Sequence, residues 1–139
     1  MELNKEEQKM EIKTDEKIDL TRVFLELDIE TDYLRGLLEN VLLVISRFMD
    51  VYEGFFGPVH EGRIFNEIAV ISETGELYFD SYKMRRFDDE VAMAIVAHEL
   101  AHYYLGHHKK SGWDANNEKE ADQLAEKWGF NIEKLRRCL

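Results

Sequence analysis

The chain has 139 residues, 45% of them hydrophobic and 12% aromatic, which is enough apolar material for one folded core and not for two. Its formal net charge of −11 argues against a phosphate-binding surface, since the chain largely lacks clustered Lys and Arg, so nucleic acid is not an expected partner. The single cysteine, Cys138, cannot form an intramolecular disulfide and fits a reducing, cytoplasmic setting; with no apolar run long enough for a bilayer and no signal-peptide core near Met1, membrane insertion is not expected.

Residues 1–19 are almost all charged or polar, with Leu3, Met10, Ile12 and Ile18 isolated among them, and predict a disordered acidic N-terminal arm. A single domain over residues 20–139 is expected to follow. Between Leu20 and Glu30, Val23, Leu25, Leu27 and Ile29 alternate with Phe24, Glu26, Asp28 and Glu30, the period of a half-buried strand, although a helix also fits. Thr31 or Asp32 can cap the next element, in which Leu34, Leu37, Leu38, Val41, Leu42, Ile45, Phe48, Met49 and Tyr52 recur at three- and four-residue spacing up to Gly54. That spacing predicts the longest helix, backing the core. Arg63 to Ser72 and Glu76 to Tyr82 are β-rich runs divided by Thr74-Gly75, which reads as a hairpin with one strand at a sheet edge, open to an extended peptide.

The apolar run from Val91 to Gly106 contains His98-Glu99-Leu100-Ala101-His102. Asp88, Asp89 and Glu90 before it, and Gly106 with His107, His108, Lys109 and Lys110 after it, mark the two ends of a helix. Its apolar residues surround the whole circumference, as in a buried helix. Residues four apart lie on one helical face about 6 Å along the axis, so His98 and His102 can hold one ion together. Zinc takes imidazole nitrogen at about 2.0–2.1 Å, and Glu99, one residue round, is placed to act as a base beside the open coordination position.

A catalytic zinc needs a third protein ligand. Asn116 or Asn117 can cap a further helix running to Trp128, with Gly129 after it, and there Glu118 and Asp122 share one face. Glu118 can bind the metal while Asp122 accepts from the outer nitrogen of a histidine ligand; Glu120 points away on the same helix. The rival is His108, six residues after His102, as in the metzincin pattern, but that pattern needs glycine at position 105, where this chain has leucine. Glu118 is therefore preferred. His107 and His108 are then solvated cations at the helix end, with oxyanion stabilisation as a second role, and Cys138 is an inert thiol in preference to a metal ligand. A short terminal helix starts at Asn131.

The stretches AHELAHYYLGHH and NEKEADQLA resemble the thermolysin-type gluzincins, and more closely the small minigluzincins and the soluble catalytic domains of membrane-bound prenyl-protein and heat-shock-type zinc endopeptidases. The resemblance spans about residues 34–128, with its specific motifs in 97–107 and 117–122. It implies a zincin-like α+β fold with a long backing helix, a small mainly antiparallel sheet, a metal helix and a glutamate helix. It also implies Zn2+ held by His98, His102 and Glu118, with Glu99 as general base and Asp122 orienting a histidine. Minigluzincins are known in latent forms with a segment over the cleft, a part the acidic arm could take. The expected function is zinc-dependent hydrolysis of peptide or protein substrates; the alternative is a zinc-bearing regulatory or binding module acting on one dedicated partner.

Overall fold

The computed structural model describes residues 29–51, 56–109 and 114–139. The arm expected over 1–19 and most of the strand expected over 20–30 lie outside these residues, and Ile29 and Glu30 are not in a strand.

Helix α1 (Asp32–Ile45) starts at Thr31, whose hydroxyl accepts from the Leu34 N–H at 3.3 Å. The Glu61 carboxylate accepts from the Glu30 and Thr31 N–H groups, both at 2.8 Å, and so ties the helix entrance to the sheet. Leu34, Leu37, Leu38, Val41, Leu42 and Ile45 form its buried stripe. The helix stops well short of the expected Tyr52. Ser46 donates from its hydroxyl back to the Leu43 carbonyl at 2.6 Å, and Arg47 and Phe48 donate three residues back in tight turns, which leaves Phe48 56% exposed. The expected cap at Gly54 lies outside the described residues.

Three short strands make one mixed sheet: β1 (Val59–Glu61), β2 (Ala69–Ile71) and β3 (Leu77–Phe79), in the order β1-β3-β2. Strands β2 and β3 form the expected antiparallel hairpin, with Ala69 opposite Phe79 and Ile71 opposite Leu77. Its turn closes through the Gly75 N–H on the Ser72 carbonyl at 2.9 Å, with Gly75 at φ +84°. A side chain at Gly57 would collide with the Gly75 carbonyl, so the chain leading into β1 packs backbone to backbone on the hairpin. Strand β1 runs parallel to β3, Val59 opposite Leu77, which the hairpin pattern did not predict.

After β3, the buried Asp80 accepts from the Ile64 and Lys83 N–H groups and caps the short helix α2 (Ser81–Met84). Helix α3 (Asp89–Tyr104) begins at Asp88, which accepts from the Val91 N–H at 2.9 Å. From Val91 to His102 every residue except Met93 is buried, so this helix runs through the core with α1, α4, α5 and β2 packed around it. It ends at Leu105, and Gly106 at φ +74° turns the chain into a 3-10 turn over His107–Lys109.

Helix α4 (Ala115–Lys127) is capped by Asp114, not by the expected asparagines; Asp114 accepts from the Asn116 N–H at 2.7 Å, and Asn117 is buried inside the helix. Gly129 at φ +99° ends it, with Gly129 and Phe130 donating to the carbonyls of Glu126 and Ala125. Helix α5 (Ile132–Cys138) starts from Asn131 as expected, and Ile132 and Leu135 pack into the core. The fold is α+β, five α-helices and a three-stranded mixed sheet among the described residues, none of whose helices is long and apolar enough to cross a membrane.

Candidate metal centre

The helical period puts His98 and His102 one above the other on α3, and α4, packed along α3, brings Glu118 to them. His98 Nε2 and His102 Nε2 each lie 2.8 Å from the same oxygen, Glu118 Oε2, and 3.0 Å from each other. The two rings stand nearly edge to face, at 88°, and each histidine is only 8% exposed. These three donors could hold a metal ion, and they are the one such group among the described residues.

The donor set fits an ion on chemistry and on size. Two imidazole nitrogens and one carboxylate oxygen are a set that zinc accepts with a position left open. Donors at about 2.0–2.1 Å from a tetrahedral ion stand about 3.3 Å apart, so a triangle of 2.8–3.0 Å matches to within about half an ångström. Protons compete for the same place. Burial opposes charge on His98, but Asp122 on one nitrogen and Glu118 on the other outweigh it and raise its pKa to about 9. The hydrogen bonds from His102 and His98 hold Glu118 far below the ordinary carboxylate range.

Both ligand rings are also held from outside. Asp122 lies 2.8 Å from His98 Nδ1, where it was expected. Burial alone would raise its pKa, but His98 and Arg136 pull it below the ordinary aspartate value. Arg136, on α5, grips Asp122 with Nε donating to Oδ2 at 2.8 Å and Nη2 donating to Oδ1. On the other side, His102 Nδ1 is 2.9 Å from His107 Nδ1, and His107 Nε2 is 3.6 Å from Glu120 Oε2.

One expectation is corrected here. His107 is not solvated but is 8% exposed and packed on His102, because the turn at Gly106 folds it back. Glu120 is not among the three donors; its exposed carboxylate lies 3.6 Å from His107 Nε2. His108, the rival third ligand, is stacked on Tyr103 with centroids 4.7 Å apart and is not among the three donors. Cys138 is exposed and also outside the group. Arg136 was not singled out from the sequence, and no signal there could have found it, since its contact with Asp122 depends on how α5 docks.

Glu99 is buried within α3, and burial, the largest influence, pushes its carboxyl pKa up against the opposing pull of His98 and His102. It lines both of two clefts, each about 320 Å³, that flank the three donors. Along one runs β2, the edge strand of the sheet among the described residues, with Glu67, Glu73 and Asp114 adding negative charge; the other is bounded by Arg136, Ile95, Leu135 and Leu139.

Fold and site together define an α+β protein with a two-imidazole, one-carboxylate cluster able to hold a metal ion. No protein-family model, curated protein or solved structure matches the chain.

Proposed function

We propose that this protein is a zinc-dependent endopeptidase of gluzincin type, with His98, His102 and Glu118 as metal ligands and Glu99 as general base. The observation that carries the reading is the convergence of His98 Nε2, His102 Nε2 and Glu118 Oε2 on one point beside Glu99, in a cleft bordered by an edge strand. When bound, zinc polarises a carbonyl and lowers the pKa of water toward about 7. Glu99 accepts the proton of the attacking water and delivers it to the leaving amine; its burial favours the protonated carboxyl that the second transfer starts from. Asp122, clamped by Arg136, fixes the His98 ring so that Nε2 faces the ion. Strand β2, which stands at the sheet edge among the described residues, would offer main-chain donors and acceptors to an extended peptide whatever its side chains, which suits a protein substrate.

The test is zinc content by elemental analysis together with cleavage of an unstructured protein such as casein. The reading predicts one zinc per chain and cleavage abolished by chelation. Stoichiometric zinc without cleavage, and a stable complex with a single protein, would favour a regulatory module instead. No zinc at all would remove the proposal.

A further inference from the structure

We infer that His107 is a positioning residue for His102, accepting from its Nδ1 in the tautomer whose Nε2 proton is turned toward Glu120; the inference rests on the metal reading above. The outer nitrogen of each ligand imidazole has its own support, and the two supports differ in kind. His98 Nδ1 meets a carboxylate, Asp122, whereas His102 Nδ1 meets another imidazole nitrogen, His107 Nδ1, at 2.9 Å.

Proton placement follows from that contact. A histidine that gives its Nε2 lone pair to an ion keeps its proton on Nδ1. His102 must then donate from Nδ1, so His107 Nδ1 must be bare and accept. His107 therefore carries its own proton on Nε2, the nitrogen that faces the Glu120 carboxylate at 3.6 Å. A proton on His107 Nδ1 instead would set two N–H groups against each other inside a contact that is 8% exposed on both sides, where water cannot relieve it. The backbone is built for this arrangement. Gly106 donates to the Tyr103 carbonyl at 3.0 Å and takes φ +74°, so that the residue after it returns onto the helix face one turn earlier. The 66° angle between the His102 and His107 rings, with centroids 5.1 Å apart, keeps the contact edge-on and excludes stacking.

The experiment is zinc affinity by chelator competition, on wild type and on His107→Ala, His107→Asn and Glu120→Gln, with the histidine tautomers of zinc-loaded wild type read by long-range 1H–15N NMR. His107→Ala is expected to weaken zinc about 10–100-fold. His107→Asn, whose side-chain oxygen can accept where Nδ1 did, should recover most of that loss, and Glu120→Gln, on an exposed carboxylate, should lose less than about tenfold. The spectra should put the proton of His102 on Nδ1 and that of His107 on Nε2. Wild-type affinity in His107→Ala, or a proton on His107 Nδ1 in the zinc form, overturns the inference and leaves the metal ligands standing. If wild type binds no zinc, both readings fall together; if His107→Ala fails to fold, the tautomers of the unmutated protein decide.

Discussion

Glu99 is an acidic group buried on α3 between His98 and Leu100, in a helix whose other buried residues, apart from the two histidine ligands, are apolar. Glu99→Gln keeps the shape and removes the base, so it should retain zinc by elemental analysis and lose about 10²–10⁴-fold in cleavage rate. His102→Ala and Glu118→Ala should instead lose the metal itself. His98 gives a pH dependence. Its pKa is raised from 6.5 to about 9, so in the metal-free chain its contribution to stability is complete below about pH 6.5 and is lost as pH rises through about 9. Glu118, held below its ordinary value of 4.5, contributes above that value and loses its contribution as pH falls. The melting temperature without metal should therefore fall from pH 6.5 toward 9, while the gain on adding zinc grows over the same range because protons leave His98. A metal-free melting temperature that is flat over that window would contradict the assignment. The pairs His98–His102 and Glu118–Asp122 were legible in the sequence because a helix fixes which residues share a face; that the two pairs meet was implied only by the family resemblance. His107 and Arg136 were not legible, because one depends on a single φ angle and the other on the docking of a separate helix.

Helix α3 is the element on which the site depends, and its burial on every side is what holds two imidazoles in register. Leu100 is fully buried next to Glu99, and Leu100→Ala should cost about 2–5 kcal/mol in denaturant unfolding. Gly106→Ala tests the turn after it. Among the described residues nothing lies within 4 Å of the added methyl, so the expected cost is that of φ +74°, about 1–2 kcal/mol, with zinc binding weakened as His107 is displaced. Wild-type stability and affinity in that variant would mean that the turn does not position His107. The ends of α3 could be read from Asp88 and Gly106, and the hairpin from Thr74-Gly75. The end of α1 could not, because apolar spacing continues through Phe48 although Ser46 has already turned the backbone. Strand β1 was hidden for a related reason: three residues after Pro58 are too few to show a period, and their parallel partner β3 lies beyond β2 in the chain.

At the scale of the molecule, α1, α3, α4 and the sheet surround one hydrophobic cluster, and the metal cluster joins α3 to α4 at its edge. An ion bound there bridges two elements that separate on unfolding, so zinc should stabilise the fold, by about 2.7 kcal/mol at a free concentration one hundred times Kd. The acidic lining of the cleft beside β2 is part of the chain's net charge of −11, and cation binding should weaken as salt is raised. The central claim is tested most directly by anomalous diffraction at the zinc edge from crystals grown with the metal. The account predicts one peak, about 2.0–2.2 Å from His98 Nε2, His102 Nε2 and a Glu118 carboxylate oxygen. A peak held by His107 or His108 in place of Glu118, or no peak between α3 and α4, would contradict it.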